Sequence, residues 1–474
     1  MGARPCAFNT GCREDRLIRA VSSVDREGER PLVRKRLSRG ARRAQIIESA
    51  KAVWSRTGAH RTTVRDIANE AGVTENFVYQ VFESREEVFQ LAVLDPLDAL
   101  VASLALRLRA VARGAEFSPI GEVHRNLHRA FLADVVKMIP LMAAAQFADP
   151  IKGPRFYSGK LYPAVRRSIL GLMRRLTGFD PGSVEMDVAI RTLMGAHFSI
   201  ALETVLSGEQ LEVEQVAHDL TMIFSRGLER GGGARDAKRS TLGSELSPGL
   251  VCKEMAKNDA PVSGKRCGPN SPLPQRKQLA RADRIEVIRA AARQIFLTHG
   301  LAGARSMQLA RTAGISEAFL FRVFESKERI YEAAVLEPLE DAFVKFAQQT
   351  NDLADANGSA RFLPKFVRIA LPFFAENGPL CVSALYSELG EGQRYFRLVL
   401  LPHLRRIEAV LAAKCGLLGA GVNPKAARRA IFGATWAISF DAGRRSYPVD
   451  SNRVAMILIQ LLVGNVPASR VSKR

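Results

Sequence analysis

GVTENFVYQVFESREEVF, at Gly72–Phe89, recurs 242 residues later as GISEAFLFRVFESKERIY, at Gly314–Tyr331. Both stretches begin with a glycine, which readily ends a preceding helix. Both continue with a hydroxyl residue, Thr74 or Ser316, which can cap the start of the next helix. The sequence therefore predicts the same short helix, entered through the same turn, at two places in one chain.

Two further helices are predicted immediately before the first of these stretches. Apolar residues at helical spacing, including Ile46, Ala50 and Trp54, indicate a helix that begins near Arg42 and stops at Gly58. A second, shorter helix is predicted over residues 64–71, after the potential capping pair Thr62 and Thr63. A short helix, a glycine-containing turn and a capped third helix together predict a helix-turn-helix unit.

The third helix of this unit has a predicted inner face and a predicted outer face. Val78 and Phe82 lie four residues apart, so they share one face and are expected to pack inward. The residues left to face outward are Glu75, Asn76, Tyr79 and Gln80. The N-terminal turn of this helix is therefore predicted to project from the domain.

The duplication extends beyond the helix-turn-helix. Pro140-Leu141 matches Pro379-Leu380 at an offset of 239, and Gly195-Ala196 matches Gly433-Ala434 at an offset of 238. The sequence thus predicts two complete copies of one all-α protein, called copy 1 and copy 2 below. The predicted boundaries are a disordered basic arm at 1–41, helix-turn-helix domains at 42–90 and 282–332, helical domains at 91–228 and 333–466, a flexible basic linker at 229–281 and a tail at 467–474.

The composition favours a polyanionic partner. The chain has 474 residues and a formal net charge of +21, with a pI near 10.2. A strongly basic protein of this size is more often a nucleic-acid binder than a membrane binder. The sequence also lacks an apolar run approaching the roughly 20 residues that cross a bilayer, and its first residues are charged. A cytoplasmic, nucleoid-associated location without membrane contact is therefore predicted.

The cysteines and histidines of the sequence are not spaced as in metal sites or enzyme active sites. The six cysteines include no Cys-x-x-Cys pair, and His124 and His128, four residues apart, have no third ligand at metal-protease spacing. No phosphate-binding glycine loop or nucleophile elbow occurs. The sequence predicts reduced thiols, no catalytic residues, no metal, no cofactor and no enzyme.

At this point the sequence resembles the tetracycline-repressor (TetR-like) family of bacterial transcriptional regulators. The resemblance rests on Ile46, Ala50, Trp54 and Gly58 at four-residue spacing, on the run from Thr63 to Thr74, and on the residues from Tyr79 to Glu86. It implies an N-terminal DNA-binding domain followed by a helical effector-binding and dimerisation domain. It also implies that the last two helices of each copy pair as a four-helix bundle.

The resemblance assigns DNA contacts to residues of the first helix-turn-helix. Expected phosphate contacts are Thr62, Thr63, Thr74, Tyr79 and Arg85; expected base contacts are Glu75, Asn76 and Gln80. Asn and Gln suit adenine, and Glu suits cytosine. Two alternatives stay open: Glu75 also suits the positive end of a helix, and Phe77 either packs against the first helix or contacts a thymine methyl group.

The second helix-turn-helix departs further from the family pattern. Phe321 replaces the tyrosine and has no hydroxyl for a phosphate, and Ala318 replaces Asn76. Extra basic residues can compensate for the lost contacts. The predicted DNA-binding residues of this unit are Ser316, Glu317, Ala318, Phe319, Phe321, Arg322 and Lys327.

Fusion of two copies predicts a pseudodimer within one chain. The bundle is expected from residues 184–206 and 211–228 against 424–442 and 451–464, with Gly195 and Gly433 permitting close helix approach. A flexible linker of about 50 residues spans roughly 40 Å, which is enough to connect the copies. Because the two outer helices differ, the double-stranded DNA operator is predicted to be asymmetric. Further self-association of the chains is left open.

A small apolar effector is predicted to bind the helical domains. Its candidate pocket residues are Phe131, Met142, Phe147 and Phe198 in copy 1 and Phe366, Phe374, Tyr386 and Trp436 in copy 2. Ordinary core packing is the competing explanation for each. Two other functions also stay open: an interaction protein in which one DNA-binding domain has decayed, and a nonspecific DNA-binding protein that acts through its basic arm and linker.

Overall fold

The computed structural model describes residues 38–58, 61–146, 148, 156–229, 281–356, 359–414, 423–442 and 451–463. The predicted tail, nearly all of the predicted arm and linker, and Phe147 lie outside these residues. The predicted arm ends earlier than expected, because the first helix begins at Arg39 and the side chain of Ser38 caps it by accepting from Ala41 N.

Across these described ranges the secondary structure is helical and contains no strand, so the all-α prediction is confirmed. Copy 1 contains α1 (Arg39–Thr57), α2 (Val64–Ala71), α3 (Glu75–Val81), α4 (Arg85–Phe89), α5 (Asp95–Gly114), α6 (Ile120–Gln146), α7 (Tyr162–Thr177), α8 (Val184–Ser207) and α9 (Val213–Glu229). Copy 2 contains α10 (Arg281–Gly303), α11 (Ser306–Thr312), α12 (Glu317–Val323), α13 (Lys327–Tyr331), α14 (Glu337–Ala356), α15 (Ser359–Tyr386), α16 (Leu389–Tyr395), α17 (Leu401–Lys414), α18 (Pro424–Ala442) and α19 (Ser451–Val463).

The duplication includes local irregularities of the helices. A π-helical turn at Gln90–Leu94 joins α4 to α5, and its counterpart at Glu332–Leu336 joins α13 to α14. Another pair, Tyr157–Leu161 and Phe396–Leu400, leads into α7 and α17. These pairs are separated by the same offsets as the sequence repeats. The two copies therefore share backbone detail as well as sequence.

The turns of the two helix-turn-helix units are built alike. Gly72 and Gly314 have φ values of 62° and 67°, the left-handed region in which glycine is unstrained. Thr74 and Ser316 then cap α3 and α12 by accepting from backbone N–H groups three residues on. These short connections hold α3 against α2 and α12 against α11. Both predicted caps are present.

The copies pair most closely where α8 crosses α18. A Cβ added at Gly195 would lie 2.0 Å from the carbonyl oxygen of Gly433, so only hydrogen at both positions permits this separation. Helices α9 and α19 pack beside this crossing and complete the four-helix bundle. The predicted intrachain pseudodimer, with its close glycine approach, is confirmed.

A buried charge cluster also joins the copies. Glu203 on α8 accepts two hydrogen bonds from Arg428 on α18, at 2.8 and 2.7 Å, and lies 2.8 Å from Arg429. Burial raises the pKa of Glu203, but the neighbouring charges of Arg428 and Arg429 outweigh it, so the net pKa falls below its usual value. The carboxylate is therefore ionised and paired inside the interface.

One helical stretch among the described residues, Arg85–Gly114, is long and apolar enough to cross a membrane by length and composition, contrary to the expectation from the sequence. It packs against α6 and α7, and Leu97, Leu104 and Leu108 are fully buried. Its polar side carries ion pairs such as Asp98 with Lys160, at 2.8 Å. A core helix passes the same test, so this helix is weak evidence for a membrane.

Candidate nucleic-acid interface and shared cavity

Helix α3 presents a polar outer face. Glu75, Asn76 and Gln80 are exposed, and Tyr79 is 50% exposed although it is a large aromatic residue. Val78 is buried on the opposite side of the helix, as the spacing predicted. The side chains predicted to reach DNA thus share one solvent-facing surface, and their base and phosphate roles stay predictions.

Phe77 lies between the exposed outer face of α3 and its buried inner face. Its side chain is half-buried and packs against the apolar core of the domain, which supports core packing as one of its roles. Trp54 on α1 and Phe89 on α4 form an edge-to-face pair in the same domain, with ring centroids 5.1 Å apart.

The residues that flank α3 divide into exposed and buried groups. Thr63 is exposed and forms a capping box with Asp66, in which each side chain accepts from the other residue's backbone N–H. Thr62, in contrast, is 2% exposed, and its hydroxyl donates to the carbonyl of Gly58 at 2.9 Å. The structure therefore places the Thr62 hydroxyl inside the domain, against the prediction of a phosphate contact through this side chain.

Arg85 is held partly in place by the same loop. Its guanidinium donates to the carbonyl of Thr62 at 3.2 and 3.3 Å and lies over the ring of Trp54. In copy 2 the ammonium of Lys327 donates to the carbonyl of Ala304 at 3.4 Å, the equivalent bond. Both cations stay partly exposed at the start of α4 or α13, where the family resemblance assigns a phosphate contact.

Helix α12 presents a different outer face. Glu317, Ala318 and Arg322 are exposed, Phe321 is 38% exposed, and Leu320 is buried. Phe319 is half-buried, like Phe77 in copy 1, and Ser316 is exposed at the cap. Where copy 1 offers Asn76, Tyr79 and Gln80, copy 2 offers a methyl group, a phenyl ring and a guanidinium.

The sequence interpretation missed one difference and gave no role to a second position. Arg305 occupies the helix-start position of Thr63 and makes no capping hydrogen bond with its side chain, so α11 lacks the capping box of α2. Comparing Thr63 and Asp66 with Arg305 and Gln308 could have shown this. The second position is Arg61, which forms an ion pair with Glu388 of copy 2. Arg61 and Glu388 are 327 residues apart, so no local sequence pattern predicts their contact.

Comparison with known proteins gives two matches at these same positions. The family described as bacterial regulatory proteins, tetR family, matches residues 46–92 and 288–334. The chain carries two TetR-family DNA-binding domains in tandem. These TetR matches contain α2, α3 and α4 in copy 1 and α11, α12 and α13 in copy 2.

Individual relatives match part of the chain. The probable HTH-type transcriptional regulator ArpR and the HTH-type transcriptional regulator TtgR, both of Pseudomonas putida, are each 39% identical over 89 residues, which is 19% of this chain and 40% of theirs. A solved structure, the Clostridium perfringens putative fatty acid metabolism regulator, is 20% identical and covers 38% of this chain and 98% of its own, with a TM-score of 0.33. The chain thus spans about 40% of the length of these curated relatives.

Four predicted effector residues of the TetR-like copies line one cavity rather than two. Met142 and Phe198 of copy 1 meet Tyr386 and Trp436 of copy 2 around a mainly apolar cavity of about 50 Å³. Gly195 lines the same cavity, so it lies beside the closest crossing of the bundle. Phe374, with Tyr386 and Trp436, lines a second cavity of about 80 Å³. The sequence had assigned candidate residues to each copy without predicting that residues of both copies would line the same cavity.

Two other predicted pocket residues belong to packed cores. Phe131 is fully buried and stacks on His197, with ring centroids 4.5 Å apart. Phe366 is fully buried in an aromatic group that includes Phe346 and Phe432. For these two side chains, the alternative of ordinary core packing agrees with the structure.

Three histidines of copy 1, His124, His128 and His197, are interior residues. His128 Nδ1 lies 3.0 Å from His197 Nε2, and His197 Nδ1 lies 2.6 Å from the carbonyl of Leu193. Burial lowers the pKa of His197 to about 4 and that of His124 to about 4, and it lowers the pKa of His128 well below its usual value. These rings are therefore neutral near pH 7 and form part of the core beside Phe131.

Proposed function

We propose that this protein is a sequence-specific DNA-binding transcriptional regulator, and that it reads an asymmetric operator through two unequal recognition helices, α3 and α12. The observation that carries the proposal is the pair of exposed outer faces on α3 and α12, which occupy equivalent places in two paired copies but differ in chemistry. In a homodimeric regulator these faces are identical and favour a palindrome. Here each face belongs to one chain and has its own side chains.

The side chains favour different bases at the two half-sites. The amides of Asn76 and Gln80 can donate and accept together, which matches the major-groove edge of adenine. Arg322 can donate two hydrogen bonds to guanine, and the methyl group of Ala318 can contact the methyl group of thymine. We therefore expect one half-site to depend on amide contacts and the other on a guanidinium contact.

Selection of binding sites from random double-stranded DNA with the full chain tests this proposal. The selected sequence is expected to contain two dissimilar half-sites. Asn76→Ala should relax base preference in one half-site only, and Arg322→Ala in the other only, each by roughly tenfold, the discrimination expected of a bidentate contact. A perfect palindrome, or no enrichment at all, would contradict the proposal.

A second proposal concerns ligand response: we infer that one small apolar effector binds per chain, in the cavity shared by the two copies. Its lining is mostly apolar and buried, and burial raises the pKa of Tyr386, so the site disfavours charged ligands. A volume of about 50 Å³ is small, so ligand entry must widen the gap between the copies. Such widening would shift the relative positions of α3 and α12.

Fluorescence titration with the neutral probe N-phenyl-1-naphthylamine tests this stoichiometry. One bound probe per chain is expected, and Met142→Trp should abolish its binding by filling the cavity. Leu106→Trp adds the same side chain at an exposed position outside the cavity and serves as the matched control. Two probes per chain would instead support separate pockets in the two copies.

The competing function is an interaction protein whose second DNA-binding domain has decayed. Two observations favour it: Phe321 lacks a hydroxyl, and α11 lacks the side-chain cap of α2. Under this alternative, Arg322→Ala leaves the affinity for every selected DNA unchanged. Under our proposal, Arg322→Ala weakens binding to one half-site, so the same variant separates the two functions.

A further inference from the structure

The turn between α15 and α16, at Ser387 and Glu388, contacts both DNA-binding domains. The hydroxyl of Ser387 accepts from Leu301 N of the copy 2 domain at 2.8 Å. On the other side, a Cβ added at Gly58 of the copy 1 domain would lie 2.7 Å from the carbonyl oxygen of Ser387. One residue in the helical domain of copy 2 therefore lies against both domains.

The two contacts occur at equivalent positions of the copies. Gly58 follows α1, and its counterpart Gly300 precedes Leu301 in α10; their φ values are 75° and 67°. At both positions a side chain would strain the backbone, and at Gly58 it would also collide with Ser387. Both DNA-binding domains thus meet this turn at the end of their first helical segment.

Glu388 adds a charge contact to the copy 1 domain. Its side chain is 7% exposed and forms an ion pair with Arg61, whose side chain is 62% exposed. A buried carboxylate is costly unless a cation pairs with it, so the domain that carries Arg61 is attracted to this position. Glu388 also lies near Tyr331 of copy 2, whose pKa is raised. Burial is the main cause of the raised pKa, and the negative charge of Glu388 raises it further, whereas a hydrogen bond with Ser383 lowers it.

The segment after this turn is anchored to the helical domain of copy 1. Gln393 donates to the carbonyl of Val205 at 2.9 Å, and Arg397 donates to the carbonyl of Leu206 at 2.9 Å. The turn is therefore attached to the end of α8 as well as to both DNA-binding domains. Movement between the copies must displace this segment.

The copies differ at the hydroxyl position. Ala148 is the counterpart of Ser387 at the offset of 239 residues, and alanine has no side-chain oxygen to accept a hydrogen bond. The hydroxyl contact from this position therefore exists in one copy alone. Such an asymmetric arrangement is possible because the two copies belong to one chain and have diverged.

We propose that Ser387 and Glu388 are positioning residues that hold the two DNA-binding domains at a fixed separation and thereby determine which half-site spacing the chain accepts. The effect on half-site spacing rests on the proposed function, whereas the fixed separation of the two domains is a property of the protein without DNA. Loosening the turn should widen the range of accepted spacings and leave the contacts of each recognition helix unchanged.

A series of operators tests this, with the two selected half-sites separated by spacers that differ by single base pairs. The wild-type chain is expected to prefer one spacing sharply. Ser387→Ala and Glu388→Gln should each reduce the preference for that spacing by about fivefold, the factor expected from one partly buried polar contact or ion pair. Arg61→Gln leaves the buried Glu388 carboxylate without this ion pair and should give a change at least as large in the same direction. Glu391→Gln, an exposed charge three residues from Glu388, should give none.

A distance measurement without DNA separates this inference from the proposed function. Dyes attached at positions Glu83 and Glu325, exposed and equivalent sites beside α3 and α12, report the separation by single-molecule energy transfer. The distance distribution should broaden in Ser387→Ala and Glu388→Gln, while thermal unfolding confirms that both variants are folded. An unchanged distribution, or an unchanged spacing profile in folded variants, would overturn the inference. If the wild-type chain binds no operator but the variants still broaden the distance distribution, the positioning role is supported and the proposed function is contradicted.

Discussion

Single residues make the two DNA-binding domains unequal in how their second helices are capped. Thr63 and Asp66 satisfy each other's backbone N–H groups at the start of α2, whereas Arg305 offers no side-chain cap to α11. An unsatisfied N–H group at a helix start favours fraying. Helix α11 should therefore open more readily than α2, although α2 and α11 hold their recognition helices in the same way.

Thr63→Ala should destabilise the start of α2 by about 1 kcal/mol, the usual cost of losing a capping side chain. Hydrogen exchange of the α2 amides measures this as a roughly fivefold loss of protection. Arg305→Ser is the matched change in copy 2, and it should increase protection of α11. Equal protection of α2 in wild type and Thr63→Ala would show that the capping box contributes nothing.

The same cap predicts a pH dependence. Hydrogen bonds from the Thr63 side chain and backbone lower the pKa of Asp66 below its usual value of 3.8. A lowered folded-state pKa gives stability that is present above the unfolded-state pKa and is lost as pH falls through the folded-state pKa. The difference in α2 protection between wild type and Thr63→Ala should therefore shrink below about pH 4 and stay constant near neutrality.

Pairs of helices determine how the copies join. Helices α8 and α18 cross with their backbones in contact at Gly195 and Gly433. A buried ion cluster lies about two turns further along α8, at Glu203, and just over one turn earlier on α18, at Arg428 and Arg429. The crossing supplies close packing, and the cluster of Glu203 with Arg428 and Arg429 adds charge pairs that form in this register of the two helices. Glycine contact and charge pairing thus act on the same two helices.

Gly195→Ala should separate α8 from α18, because the added methyl group would lie 2.0 Å from the carbonyl oxygen of Gly433. A loss of several kcal/mol is expected from overpacking of this kind, at least about 2 kcal/mol. Gly171→Ala, at an exposed position of α7 with no atom within 4 Å of the new Cβ, should instead stabilise the chain by up to about 1 kcal/mol. Urea unfolding of the two variants compares these effects, and equal midpoints would contradict the close crossing.

Glu203→Gln should destabilise the bundle by roughly 3 kcal/mol, because it removes the buried carboxylate that Arg428 and Arg429 share. Each arginine then keeps a single, more exposed partner, Glu408 for Arg428 and Glu209 for Arg429. Glu185→Gln removes another carboxylate that pairs across the copies, with Arg453, but both side chains of that pair are partly exposed, and its loss should cost less than about 1 kcal/mol. The lowered pKa of Glu203 gives stability that is lost in acid. Urea midpoints of wild type and Glu203→Gln should therefore converge as pH falls below about 4.

Sequence pattern was informative for elements and less so for contacts between them. The caps at Thr74 and Ser316, the inward Val78 and the bundle helices were predicted because they depend on spacing within a few residues. The shared cavity and the contact of Arg61 with Glu388 could not be predicted, since they depend on how the copies are placed against each other. Thr62 was misassigned because a hydroxyl beside a helix start suits either a phosphate or the domain interior.

The whole molecule brings its two copies together within one chain. Helices α8, α9, α18 and α19 pack against one another within the chain, so each copy already has the partner that a homodimer would supply. The face of α8 that contains Gly195 and Glu203 is occupied by α18. A second chain therefore has no access to this face unless the pairing within the chain opens.

One chain should consequently occupy one operator. Native mass spectrometry of a selected duplex is expected to give a complex that contains a single 52.0 kDa chain, and the logarithm of its affinity should fall with the logarithm of salt concentration by about 0.9 per phosphate neutralised. A duplex with only one half-site should bind the same single chain with a shallower salt dependence, because only one recognition helix contacts phosphates. The contrary outcome is two chains on the full operator and one chain on the half-site duplex. It would mean that the copies pair between chains, and each side of a longer site would then be contacted by both kinds of recognition helix.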